Sequence, residues 1–422
     1  MNNIIVEHII KKENVLQVDF SFDKGLERYF SGTPFVVEYP ESIERVPDAV
    51  AVIPFVCNVL PIIWLTDSKL YVKDIDSDFY NCIDEIKQGY KNMFCGVDFK
   101  GEIIASKTVP HILSVSDSKA MFYSGGLDSL HTLISHFGEN VDLVSIWGSD
   151  IEFSNEIGWK KTYQTVKETA EKFNLKNVVI RSNFREFDRE IELDHDYRNQ
   201  LQDSWWHGVK HGIGLLGHIA LYVYLNNIGT VYIASSNCAS DGLVRCASDP
   251  TIDNCVKFCG CEVVHDGYQF NRQQKVQSVV EFCRSQNTIV DMHVCWQSQT
   301  GKNCCKCEKC YRTISALIAE MADPKDFGFH DASKTVHSMK NSVLNGSKIN
   351  QYIATTQWKP IKERIVENKK ILKKSVWWND IKWIMKTDFN NIEKAKLITK
   401  RRMKIMHFFN KKFQNLRSVL TK

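Results

Sequence analysis

No secretory leader is legible at the start of the 422-residue chain: Met1–Lys12 mixes acidic and basic residues, with no apolar core before a cleavage site. Clean hydrophobic runs of membrane-spanning length are missing too. Ala49–Thr66 is long enough, but Pro54, Asn58 and Pro61 interrupt it, and short buried strands at Val50–Val56 and Ile62–Thr66 are expected. Gly212–Ser240 carries His218, paired asparagines and several glycines, and reads as a buried helix followed by a strand. There is no internal repeat and no long low-complexity tract. These absences point to a cytoplasmic protein.

What is present is an ordinary globular composition. Hydrophobic residues make up 43% and charged residues 25%, which excludes a wholly disordered or fibrous chain. The length suits two or three domains with sizeable cores. The formal net charge of +4 hides an asymmetry. Lys359–Lys422 holds 19 Lys+Arg against 5 Asp+Glu, whereas residues 1–358 hold 35 basic against 45 acidic groups. The basic tail interleaves Trp and Phe, with Trp377, Ile381, Ile384 and Met385 on one helical face and Ile405, Phe409 and Phe413 on another. It could bind the phosphates of a nucleic acid such as tRNA, lie on an anionic membrane surface, or dock on a protein surface. Docking of amphipathic helices on the acidic body is the default, and an oligomer stays open.

Fourteen cysteines in a chain without a leader are expected to be reduced thiols. Eleven of them lie from Cys238 to Cys310. Cys295, Cys304, Cys307 and Cys310 follow C-x8-C-x2-C-x2-C, in which tight C-x2-C turns present paired sulfurs to one ion. Four thiolates suit tetrahedral Zn²⁺ and close its coordination, so the zinc is expected to be structural. A redox pair, an iron–sulfur cluster or chance spacing are the alternatives. Cys305 falls between ligands and outside the set.

The chain is organised in three parts. Residues 1–115 read as a separate α+β domain, with strands at Val15–Phe22, Phe35–Tyr39 and Leu70–Val72 and a helix over Phe79–Met93. Residues 116–325 alternate strand and helix: Lys119–Tyr123, Val141–Trp147, Asn177–Arg181 and Thr230–Ser235 are strands, separated by helices near Leu130–Phe137, Gly158–Phe173 and Trp205–Asn226. That rhythm predicts an α/β fold, a parallel sheet with helices on both faces. Residues 326–422 form a basic, helical C-terminal region. Ligands of such sheets bind at the carboxyl ends of the strands, which directs attention to the segments after Tyr123, Trp147 and Ser235.

The first of these segments is Ser124-Gly125-Gly126-Leu127-Asp128-Ser129. Its glycines allow a tight turn with backbone N–H groups facing an anion, and the following helix N-terminus adds its dipole. Asp128 in such a loop implies a shared cation, Mg²⁺ on a phosphate chain. No Lys follows the glycines, so this is not the Gly-rich ATPase loop. A plain helix-capping turn is the alternative. Weaker candidates are Asp249 and Asp253, which could orient substrate or bind Mg²⁺, and Lys275, which could neutralise phosphate. His207, His211 and His218 share a helix but read as core or surface histidines without a carboxylate partner. Cys255, Cys259 and Cys261 read as packed thiols, with a nucleophilic Cys as the alternative.

The Ser-Gly-Gly-Leu-Asp-Ser loop resembles the signature of the PP-loop ATP pyrophosphatases, which bind ATP there, adenylate a substrate oxygen and release pyrophosphate. The four-cysteine spacing, Lys275-Val276-x-x-Val279-Val280 and Arg312 resemble the zinc-containing 7-cyano-7-deazaguanine synthases of that group. The likeness covers about residues 120–320. It implies a Rossmann-like adenine nucleotide hydrolase fold. It implies ATP, Mg²⁺ and Zn²⁺ as cofactors, with ATP on Ser124–Ser129 and near Trp147 and Gly148. Asp128, Ser129 and Lys275 would act in catalysis, and Ser235, Ser236, Asp249 and Asp253 would face the substrate. Departures are equally plain. Trp147-Gly148-Ser149-Asp150, Trp205-Trp206-His207 and Ala247–Asp253 differ from the synthases' substrate-facing motifs. The resemblance therefore implies a paralogue with another substrate: an ATP-dependent ligase joining ammonia to a small molecule, forming an amide or nitrile. Sulfur transfer to tRNA and a nucleotide-sensing, nucleic-acid-binding module are the alternative functions.

Overall fold

The computed structural model describes residues 1–111, 116–295, 297, 302–345 and 349–399. By internal contacts the chain divides into two units, Met1–Asn237 with Asp241–Tyr268, and Cys238–Ser240 with Gln269–Lys422.

The first unit is α/β, built on one large, mostly parallel sheet flanked by helices. Its strands are β1 (Asn3–Lys12), β2 (Val15–Phe22), β3 (Phe35–Glu38), β4 (Lys69–Asp76), β5 (Glu102–Val109), β6 (Lys119–Phe122), β7 (Val141–Trp147), β8 (Asn177–Ser182), β9 (Thr230–Ala234), β10 (Lys257–Phe258) and β11 (Cys261–Asp266). They lie in the order β10-β11-β9-β6-β7-β8-β3-β2-β1-β4-β5. The five strands β11, β9, β6, β7 and β8 are parallel, which brings all their carboxyl ends to one edge. Val144 and Ile146 of β7 join the main core, and Leu143 is buried as well, so both faces of that strand are covered.

Residues 1–115 do not form a sheet of their own. β3 pairs antiparallel with β8, Val37 opposite Ser182 and Glu38 opposite Arg181, so a single sheet runs through the expected boundary near residue 115. The other division falls after Tyr268, ahead of the expected position near 325. The apolar run read as two strands is instead the helix Ile53–Thr66, preceded by a single turn at Asp48–Ala51. Pro54 occupies its first turn, where no intrahelical N–H is needed, and the Asn58 amide donates to the Pro54 carbonyl at 2.8 Å. Every residue from Ile53 to Trp64 is buried, which erases the polar face that would have revealed a helix.

The opposite ends of the strand order also meet. The helix Ser77–Met93 follows β4, and its capping residue Asp76 accepts the Cys259 N–H at 3.1 Å from the β10–β11 turn. The Gly260 N–H donates to Asp78 at 2.7 Å.

The second unit is helical. Within it the helices Arg272–Ser285 and Glu308–Ala319 pack with Lys359–Glu367 and Trp378–Lys386. Arg364 forms a bidentate pair with the buried Glu320 (2.7–3.0 Å), and the Trp358 indole donates to Glu308 at 2.8 Å. Ile381 and Ile384 turn inward as expected of an amphipathic face. The face assigned to Ile405, Phe409 and Phe413 lies outside the described residues. Among the described residues no helix is long and apolar enough to cross a membrane.

Candidate functional site

The carboxyl edge of the central strands carries the glycine loop. Tyr123 continues β6, its N–H donating to the Val144 carbonyl (2.8 Å) and its carbonyl accepting the Ser145 hydroxyl (2.7 Å). The chain then turns through Gly125 at φ +73, a left-handed conformation that disfavours any side chain. Gly126 caps the helix Leu127–Ser135. Ser129 is buried, and its hydroxyl donates to the Gly126 carbonyl at 3.2 Å, with Ser124 at 3.4 Å. It therefore braces the loop from within, while Ser124 is exposed and Asp128 half-buried in the first helical turn.

At the next strand end, Gly148 has φ +114, and a Cβ there would lie 1.8 Å from the Ser182 carbonyl. Only glycine lets β7 and β8 close so tightly. Trp147 stacks on Trp159 at 5.3 Å, holds the Arg181 guanidinium 4.3 Å from its ring centre, and donates its indole N–H to the Glu152 carbonyl. Its ring is thus committed to its neighbours.

After β9, the Ser235 N–H donates to the Asp266 carbonyl (2.8 Å) and its hydroxyl to the Asn237 carbonyl (2.6 Å); Ser236 is exposed. The two aspartates that follow play different parts. Asp249 caps the single turn Pro250–Asp253 by accepting the Thr251 N–H and hydroxyl, a local structural task. Asp253 is fully buried. Its Oδ2 accepts the Ser248 hydroxyl at 2.9 Å and the His265 Nδ1 proton at 2.8 Å. Its Oδ1 has no hydrogen-bond partner among the described residues and lies against Gly212, where a Cβ would sit 2.5 Å away. The His265 Nε2 and the Nδ1 of buried His211 are likewise unpartnered there. Unsatisfied buried polar atoms are costly, and their concentration here marks the place where a polar ligand would be satisfied.

The helical histidines do not act as a set. His207 lies 2.6 Å from Asp203, an i,i+4 carboxylate partner, contrary to the expectation that it had none. That bond, with a further one to Cys246, raises its pKa to about 10 against the effect of burial. Burial lowers the pKa of His211, with the Asp150 carboxylate opposing. His218 is a core histidine, donating from Nδ1 to the Gly214 carbonyl and accepting the Ser182 hydroxyl at Nε2 (2.9 Å). Burial drops its pKa to about 3. His265, the residue held by Asp253, went unnoticed because a single histidine in a strand has no spacing signal.

In the second unit the four expected cysteines converge. Their sulfurs all lie within 4.8 Å of one another, Cys295 to Cys307 at 3.9 Å and Cys304 to Cys310 at 3.8 Å. Zn–S bonds of about 2.3 Å at tetrahedral angles require sulfurs about 3.8 Å apart, so the donor set fits the ion. The Cys307 N–H donates to the Cys304 sulfur (3.3 Å) and the Cys310 N–H to the Cys307 sulfur (3.4 Å), the support a thiolate needs. Hydrogen bonds, first from the Cys310 thiol, bring Cys307 down to about 5 against burial. Cys305 stays apart, with φ +53 and its sulfur directed to the Asn303 carbonyl. Lys275 is a buried residue of the helix Arg272–Ser285 in this unit.

Burial raises the pKa of Cys255, Cys259 and Cys261, the last to about 12, which makes each a poor nucleophile. No protein-family model matches the chain, and no curated protein is similar to it.

Proposed function

We propose that the chain is an ATP-dependent synthase of the PP-loop type, which adenylates a substrate carboxylate or amide oxygen and then amidates it. The observation that carries this reading is the Ser124–Ser129 loop. It joins a central parallel strand to a nine-residue helix through a left-handed glycine, at the edge where such sheets bind ligands.

ATP would lie with its phosphates against the loop's N–H groups, and Asp128 in the first helical turn would hold the accompanying Mg²⁺. The substrate oxygen attacks the α-phosphate, the bond to pyrophosphate breaks, and an adenylate forms. Ammonia then attacks the activated carbon and AMP leaves, giving an amide; adenylation of the amide oxygen by a second ATP, followed by loss of AMP and the two N–H protons without a second ammonia, would give a nitrile. Hydroxide is a poor leaving group and AMP a good one, so the chemistry depends on activation. The protein's part is positioning and charge neutralisation.

Ammonia must shed a proton as it attacks. His265 is suited to accept it: Asp253 fixes the ring through Nδ1, leaving Nε2 unpartnered, on a strand two places from β6. The four cysteines would hold a closed structural zinc that takes no part in the reaction. The thiolase-like alternative loses its support where burial raises every candidate thiol outside the zinc set.

The test is AMP and pyrophosphate release from ATP and ammonium, with a small-metabolite fraction and bulk tRNA supplied separately. Turnover with the metabolite fraction, abolished by Asp128→Ala in a folded protein, is expected. Turnover with tRNA alone, or unchanged turnover in the variant, overturns the reading.

A further inference from the structure

Away from both sites, three donor atoms from distant parts of the first unit meet around one carboxylate. Asp76 ends β4, His111 follows β5, and Cys259 occupies the β10–β11 turn. The His111 Nδ1 lies 2.9 Å from Asp76 Oδ2 and the Cys259 sulfur 3.8 Å from the same oxygen, all three atoms within 4.8 Å of one another. Asp76 and Cys259 are buried and His111 is half-buried.

Three features distinguish this cluster from a chance ion pair with a thiol nearby. Cys259 has φ +53 and Gly260 φ +74, a two-residue hairpin turn of the kind that favours Asn-Gly or Gly-Gly. A cysteine is an unfavourable choice at that position unless its sulfur is needed. The turn is also pinned in place, with the Cys259 N–H on Asp76 Oδ1 and the Gly260 N–H on Asp78. Finally, Asp76 Oδ1 accepts a second backbone proton from Phe79 at 3.0 Å, so one oxygen is held by the protein and the other faces the histidine and the thiol. That division of labour is how a ligating carboxylate is oriented.

We infer that Asp76, His111 and Cys259 form a second zinc site, a clasp between the two ends of the large sheet. Thiolate, imidazole and carboxylate are all zinc ligands. With its usual bond lengths the ion separates sulfur from oxygen by about 3.6 Å and nitrogen from oxygen by about 3.4 Å. The first separation is already present, and the second opens by about half an ångström when the ion replaces the shared proton. Binding releases the Cys259 proton. Three protein ligands leave one position, on the His111 side, for water.

Metal analysis of the full-length protein tests this. Cys259→Ser and His111→Ala should each lose one zinc equivalent per chain relative to the parent. Cys304→Ser should lose a different one, so that a Cys259→Ser/Cys304→Ser variant loses two. Should Cys259→Ser fail to fold, His111→Ala, at a half-buried position, decides the matter, with near-ultraviolet circular dichroism as the control. Unchanged zinc content in folded His111→Ala overturns the inference.

Discussion

Asp253 and His265 meet through a 2.8 Å bond between Oδ2 and Nδ1, both side chains essentially without solvent contact. The pairing fixes the imidazole and leaves its Nε2 unpartnered among the described residues. If that nitrogen accepts the ammonia proton, His265→Gln should lower amide formation by about 10²- to 10⁴-fold, with pyrophosphate release in the first half-reaction nearly unchanged. Separate measurement of pyrophosphate and product decides it. Equal loss of both would make His265 a structural residue. Asp253→Asn should give a smaller loss of the same kind.

The two strand-end glycines should respond differently to alanine. At Gly148 the added methyl would meet the Ser182 carbonyl at 1.8 Å, so the backbone must part, at a cost of about 3 kcal/mol or more in unfolding free energy. At Gly125 the nearest atom to a Cβ is 3.5 Å away, and only the φ of +73 is unfavourable, costing about 1 kcal/mol. Gly125→Ala should nevertheless lose ATP binding, because the loop must turn there to present its N–H groups. Chemical denaturation and nucleotide titration of both variants separate stability from ligand binding.

Stability should fall on both sides of neutrality, for opposite reasons. His218 has a folded pKa of about 3, far below the ordinary imidazole value near 6.5. The unfolded chain binds that proton first, so stability is complete above about pH 6.5 and declines by roughly 1.4 kcal/mol per unit below it. His207 is the reverse case. Asp203 and Cys246 raise it to about 10, so its contribution is complete below pH 6.5 and disappears as pH rises towards 10. His218→Gln should flatten the acid limb of a stability–pH curve and His207→Gln the alkaline limb. An unaltered acid limb in folded His218→Gln would refute the first assignment.

How much of this was legible in the sequence depends on how local each signal is. The strands β6 to β9 read correctly because parallel strands buried on both faces appear as short apolar runs between turns. The C-x8-C-x2-C-x2-C spacing pointed to four sulfurs that the fold does bring together, because these cysteines lie close along the chain. The helix Ile53–Thr66 did not, since uniform burial leaves no 3.6-residue period and its prolines imitate strand breaks. β1 was missed because several of its residues, among them Ile5, Glu7 and Lys12, face solvent. The Asp253–His265 pair is separated by 12 residues, and the packing of the turn Pro250–Asp253 against β11, with the His265 N–H on Asn254, sets the ring beside that carboxylate. Asp76 and Cys259 are further apart still, joined only because opposite ends of one sheet approach each other.

The four-cysteine centre gives the last prediction. Cys307 both belongs to the set and caps the helix Glu308–Ala319, accepting the Cys310 N–H on its sulfur. That helix in turn carries Glu308, bonded to Trp358, and is followed by Glu320, held by Arg364. If zinc fills this set, its loss would leave four close, buried thiols with nothing linking them at the start of the element on which the following helices pack. Chelation, or Cys310→Ser, should therefore abolish that zinc equivalent and melt the second unit before the first, since metal affinity is folding free energy for such a site. Two calorimetric transitions are expected on chelation where the loaded protein shows them closer together, and zinc should restore the original trace. An iron–sulfur cluster at the same cysteines would instead bring visible absorption and acid-labile sulfide, neither of which a closed zinc site supplies.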